Sequence, residues 1–269
     1  VLKLLRRAYA VFKAYFVSDF IRSRGFIYGL MSMALWITMF SAPVIMFTGS
    51  DVNVNEVATR IFIGIMLFLF FSTASWDWAA EIRWMINEGR IEYYIASGSG
   101  FLPHYLGILP ISILWLVIAL IVNYILLSIL WSPPTIRVLN LVLFIYGFAL
   151  FLMCLMGYAL ILGGTMISTS AVGFIVEIIN FVLPVATGGL FPLKLMPEPL
   201  QVFALLTPFS YTAELIRYSM LGIEPVVELN YLIITGSIYT MVFLLIGIGY
   251  FKYQLRKVLR EGFKSISMW

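Results

Sequence analysis

"YLGILPISILWLVIALIVNYILLSILW", Tyr105 to Trp131, contains no charged residue. A hydrocarbon core about 30 Å thick is crossed by about 20 apolar helical residues, so this stretch is long enough to span a bilayer by itself. Five further apolar runs lie around it: Phe26 to Thr48, Ile61 to Ala80, Arg137 to Gly164, Ala171 to Leu190 and Leu229 to Tyr253. Strands of a membrane barrel would alternate apolar and polar residues, whereas these runs are continuously apolar, so helices are expected. The composition agrees, since the chain is 62% hydrophobic and only 11% charged. The expected fold is all-α: one polytopic membrane domain over residues 1–269 with six transmembrane helices.

Lysine and arginine favour the cytoplasmic side of a membrane. An inside N-terminus puts Lys3, Arg6, Arg7, Lys13, Arg22, Arg24, Arg83, Arg90, Lys252, Arg256, Lys257, Arg260 and Lys264 in the cytoplasm. The other side then receives Arg60, Arg137, Lys194 and Arg217 together with Asp51, Glu56, Glu198, Glu214, Glu224 and Glu228. Both termini are therefore expected to be cytoplasmic. The net charge of +4 follows from this topology, and no solvated domain gathers the basic residues, so nucleic acid is not an expected partner. The first run lacks a small-residue cleavage pattern, and a removable signal peptide is not expected.

His104 and Cys154 are the only histidine and cysteine, which leaves no cluster of soft ligands for zinc or haem. No G-x-x-x-x-G-K-[ST] phosphate loop occurs, and "GSGFLPHY", Gly98 to Tyr105, has the wrong spacing for one. The chain is expected to hold no metal or cofactor, to have no catalytic residue and not to be an enzyme.

Residues 1–24 place Leu5, Tyr9, Phe12, Phe16 and Phe20 on one helical stripe with Arg6, Lys13 and Arg24 beside it. Such a helix lies in the membrane interface, with its aromatics among acyl chains and its cations near headgroups, so lipid is an expected partner. Pro43 and Pro184 fall inside apolar runs, where each should kink its helix. Glycines 147, 157, 163, 164 and 173 permit close helix contacts. Glu177 and Asn180, three residues apart in the fifth run, share a helical face. An ionised group in hydrocarbon is costly, so this pair either meets a substrate or cavity or is a partnered packing group. Asp77, between Trp76 and Trp78, fits an interfacial carboxylate.

The sizeable cytoplasmic loop is "EIRWMINEGRIEYYIASGSG", Glu81 to Gly100. From Glu88 onward Ile91, Tyr94 and Ile95 form one helical face, with Arg90, Glu92 and Tyr93 on others, and Gly98 and Gly100 end the helix. It is either a cap on the bundle or a plug for a soluble partner.

The run Glu88 to Ser97 resembles the coupling loop of the ABC type-2 permease family, whose usual form is E-x-G-T-L-E-x-L-L-A-[ST]-P. Arg90 stands where Thr is common and Gly98 where Pro is common. Gly188 to Gly222 is similar to the same family's segment after span five, N-P-[LF]-x-Y-x-x-x-x-[IL]-R. There Thr207 replaces Asn, while Pro208, Phe209, Tyr211 and Arg217 fit. The resemblance implies the membrane subunit of an ATP-driven exporter in the plasma membrane of a prokaryotic cell, moving a hydrophobic or amphiphilic substrate outward. Its partners would be a nucleotide-binding ATPase subunit, which carries ATP and Mg, and a second copy or paralogue of the permease.

Carried over by residue, Glu88, Gly89, Arg90, Glu92, Tyr93, Tyr94 and Ser97 of a coupling loop over 81–104 would meet the ATPase. Phe71, Ser72, Ser75, Glu177, Asn180 and Phe181 would line the pathway. Pro208, Tyr211 and Arg217 would form an external gate in short re-entrant helices over 191–228. The alternative is an ion- or proton-coupled secondary transporter built on Glu177.

Overall fold

The computed structural model describes residues 2–46, 53–90, 93, 102–168 and 172–261, and all regular structure among them is helical. Helix α1 (Leu2–Phe16) runs into a π-helical turn, Val17–Arg22, and then α2 (Gly25–Met46). Helix α3 (Val54–Thr73) continues through a second π-helical turn, Ala74–Ala79, into α4 (Ala80–Asn87). Next come α5 (Leu102–Leu130), α6 (Leu141–Ser168) and α7 (Val172–Ala186). A 3-10 turn, Leu193–Leu195, leads to α8 (Glu198–Leu205), α9 (Pro208–Leu221) and α10 (Leu229–Glu261).

Five stretches are long and apolar enough to cross a membrane: Gly25–Val44, Val54–Ile86, Pro103–Leu130, Leu141–Ile167 and Leu229–Lys257. The chain is thus a multi-pass helical membrane protein. The most buried of them is Val54–Ile86, at 72% against 39% or less for the others, so its side chains are mostly spoken for by protein.

Two boundaries differ from expectation. Residues 81–87, expected in the loop, instead continue the helix, and Ile82 and Met85 are buried on its apolar face. That helix ends at Gly89 (φ 67°), whose left-handed backbone suits glycine alone, with Glu88 N–H donating to the Trp84 carbonyl at 3.0 Å. The run Ala171 to Leu190, expected as a full span, contains a helix of 15 residues. It stops because Gly188 turns left-handed (φ 75°) and the Leu190 N–H folds back to the Pro184 carbonyl at 3.0 Å.

The chain divides into two compact units. The first comprises Val1–Ile65 and Trp84–Thr135. In it α1 lies against α5 at Gly107, where an added Cβ would stand 2.6 Å from the Ala8 carbonyl oxygen and from Val11 Cβ. Phe20, Phe26 and Trp115 pack as mutually tilted rings at centroid distances of 5.1–5.3 Å, fixing the turn between α1 and α2. Helix α3 meets α5 where Phe62 packs edge-on against Tyr124, and just beyond the end of α5 the Thr135 N–H donates to Thr59 Oγ1 at 2.8 Å.

The second unit comprises Met66–Arg83 and Ile136–Trp269. Its backbone is the packing of α6 on α10, which small residues allow: a Cβ on Gly247 would stand 2.6 Å from the Gly157 carbonyl oxygen, and one on Gly164 3.0 Å from the Tyr250 ring. Asn140 Oδ1 accepts the Leu143 N–H at 3.0 Å and so caps α6.

Candidate functional site

Three clusters hold the residues singled out by the sequence. The first surrounds Arg90, just past the Gly89 turn. Its Nη1 donates to the Tyr15 hydroxyl at 2.5 Å, its Nε lies 2.5 Å from Glu88 Oε2, and its guanidinium sits 5.9 Å from the Tyr15 ring centroid. Tyr15 in turn meets the buried His104 edge-on at 5.8 Å. Glu88 is exposed and Tyr93 is exposed, while Glu92, Tyr94 and Ser97 lie outside the described residues. One end of the expected loop is thereby tied to the last turn of α1 and to the start of α5.

The second cluster contains two of the pathway candidates. Phe71 and Ser75, one turn apart, are both buried. Phe71 packs against Phe151, Tyr158 and Phe209 at 4.9–6.3 Å, and Ser75 Oγ pairs with Tyr158 Oη at 3.0 Å. These side chains belong to the packed interior of their unit. Ser72 is half-buried beside them. On α7 the expected pair is split: Glu177 is exposed, whereas Asn180 is buried and its Oδ1 finds no hydrogen-bond partner among the described residues. Phe181 is exposed and lies 6.2 Å from Phe68.

The third cluster is the segment after α7. Thr207 is the N-cap of α9, Pro208 occupies its first turn, where no donor is needed, and Gly222 (φ 67°) ends it in the left-handed conformation. Nearly every residue of α9 is buried, Arg217 at 2% exposure and Glu214 also at 2%. Arg217 spends its fork on backbone: Nη1 donates to the Gly188 carbonyl, and Nη2 to the Gly189 carbonyl at 2.9 Å. Glu214 Oε1 lies 3.7 Å from Arg217 Nη1 and accepts the Leu193 N–H at 3.2 Å. Together the pair grips both ends of the turn that follows α7. Burial pushes the Glu214 carboxyl above its ordinary range, with Arg217 opposing, and pulls Arg217 down to about 10, with Glu214 opposing. Tyr211 is fixed by its hydroxyl, which donates to the Leu205 carbonyl at 2.9 Å, and by close approach to Gly236.

Pro208, Tyr211 and Arg217 are thus brought into one helix and its immediate neighbours. Sequence reading missed Glu214, Tyr15 and Tyr158. Only Glu214 carried a usable signal, its position three residues before Arg217 and so on the same helical face. Compared with known proteins, the chain matches no protein-family model and no curated protein.

Proposed function

We propose that this protein is the membrane subunit of an ATP-driven exporter whose ATPase is a separate chain. The observation that carries the reading is the tether between Arg90 and Tyr15. A partner pressing on the loop would act on a point anchored at once to α1, to the helix ending at Gly89 and, through His104, to α5. Force applied there reaches three helices without first being lost in loop bending. Glu88, Arg90 and the exposed Tyr93 supply ionic and aromatic contacts suited to a soluble partner, and Glu92, Tyr94 and Ser97 complete the proposed docking surface.

In this reading α7 is the sixth crossing, α8 and α9 dip back into the outer leaflet as an external gate, and both termini are cytoplasmic. The gate residues Pro208, Tyr211 and Arg217 are supported in this role by their rigid mounting: an outer closure must hold its shape while the spans below it move. Two permease chains and two ATPase chains would form the working complex. Binding and hydrolysis of ATP and Mg belong to the partner, and Glu177 and Phe181, exposed on α7, offer the substrate contacts. Phe71 and Ser75 contribute to this path only by shaping the wall behind it.

Gentle detergent purification of the tagged chain from its native host, with mass identification of co-purifying proteins, tests the reading. A stoichiometric nucleotide-binding protein, lost on replacing Glu88 and Glu92 by alanine, is the expected result. A folded chain that repeatedly emerges alone would contradict it and favour ion-coupled transport through Glu177.

A further inference from the structure

Helix α1 has three faces, of which one packs against protein and two are exposed. Ala8 and Val11 pack at Gly107, and Tyr15, on the same face, reaches Arg90 and His104. On another face Leu2, Leu5 and Tyr9 are exposed at 68%, 55% and 66%, too much apolar surface to leave in water. The third face carries Lys3, Arg6, Arg7 and Lys13, all exposed, and Asp19 is the sole carboxylate in residues 1–24. An apolar stripe edged by cations matches one kind of surface: a leaflet of anionic phospholipid, with acyl chains against Leu2, Leu5 and Tyr9 and phosphates against the cations.

We propose that α1 is a sensor of membrane surface charge that reports to the loop through Tyr15 and Arg90. The same helix meets lipid on one side and the loop on the other. Anionic headgroups draw α1 toward the leaflet and hold it in its packed register on α5, which keeps the Tyr15 hydroxyl in place for Arg90. In a neutral leaflet that pull is absent and the Arg90 tether loosens. Each cation near an anionic surface favours the lipid-held state by a factor of about five, so a few charges suffice for a switch. This goes beyond the exporter reading and holds whether or not an ATPase docks on the loop.

The test places the full chain in nanodiscs of phosphatidylcholine alone or mixed with phosphatidylglycerol and follows amide hydrogen exchange in residues 2–16 and 84–90. Phosphatidylglycerol is expected to slow exchange in both segments by at least a few-fold. Replacing Lys3, Arg6 and Lys13 with glutamine, which alters exposed side chains only, is expected to abolish both effects. Tyr15→Phe is expected to keep the response of residues 2–16 and lose that of 84–90. Equal exchange in the two lipid mixtures, or a lipid response that survives the glutamine variant, would overturn the sensor. A Tyr15→Phe protein whose residues 84–90 still respond would overturn the link to the loop. No ATPase is present in the measurement, so its outcome is independent of whether the exporter reading stands.

Discussion

Arg217 donates to the Gly189 carbonyl at 2.9 Å across 28 residues of chain, and the same guanidinium serves Gly188. Helix α9, whose residues are nearly all buried, is thereby clamped to the end of α7. Glu214 completes the clamp from one turn earlier by holding Leu193 and facing Arg217.

Breaking this pair from one side strands a buried charge. Glu214→Leu or Arg217→Met alone is expected to cost about 3–5 kcal/mol, and the double variant far less than the sum. Arg217→Lys is expected to behave like a loss, because an ammonium cannot fork across two carbonyls. Thermal or denaturant unfolding of the four proteins in detergent measures the coupling. Additive losses would show that the two side chains act separately.

The same pair predicts an unusual pH dependence. The folded state raises the Glu214 pKa above its ordinary 4.5, chiefly through burial. It therefore binds that proton more tightly than the unfolded chain does. The stability owed to this carboxyl is present in full below the ordinary value and is lost as pH rises through the elevated one. Through this carboxyl, mild acid should favour the folded state as a whole, although it neutralises the charge that faces Arg217. Melting temperatures of the native protein and of Glu214→Gln, compared from acid to neutral pH, are expected to show the native protein losing ground to the variant as pH rises. A difference that stays flat or runs the other way would refute this.

Ser75 and Tyr158 were brought together by the fold as a buried hydroxyl pair, 3.0 Å apart. Ser75→Ala leaves the Tyr158 hydroxyl without this partner in an apolar interior and should cost about 1–3 kcal/mol, whereas Tyr158→Phe should cost less, because Ser75 keeps its hydrogen bond to the Phe71 carbonyl at 3.1 Å. The double variant is expected to recover most of that loss. If Ser75 served chiefly as a pathway contact, its replacement would change substrate-dependent behaviour and leave the melting temperature unmoved.

Close approach of α6 and α10 gives a fourth expectation. A Cβ at position 247 would stand 2.6 Å from the Gly157 carbonyl, and backbone on both sides cannot yield cheaply. Gly247→Ala is expected to destabilise by about 1–3 kcal/mol. Gly249→Ala, where nothing lies within 4 Å, is the control and should be nearly silent in the same unfolding measurement.

Apolar runs marked the helices well because lipid selects for continuous hydrophobicity, and that signal is local. Where elements stop was less legible. Residues 81–87 carry enough charge to read as loop, yet Ile82 and Met85 bury a helical face. The π-helical turns at Val17–Arg22 and Ala74–Ala79 have no sequence signature of their own. Side-chain partnerships were the least legible. Arg90 meets Tyr15 across 75 residues, and nothing in either neighbourhood announces the other. Glu177 and Asn180 show the converse: three-residue spacing gives proximity along a helix, but the width of the buried face decides which of the two is enclosed.

In the proposed function a nucleotide-binding protein docks beside Arg90, and position 93 gives direct access to that surface. Tyr93 is 78% exposed, and Cys154 is buried and so silent toward thiol reagents. A Tyr93→Cys protein carrying a short photo-crosslinker, irradiated in membranes from the native host, is expected to yield an adduct with an ATP-binding protein. Arg60→Cys, expected on the opposite side of the membrane, should yield no such adduct. If position 93 captures no ATP-binding protein while the labelled chain remains folded in the membrane, the proposed exporter function is contradicted.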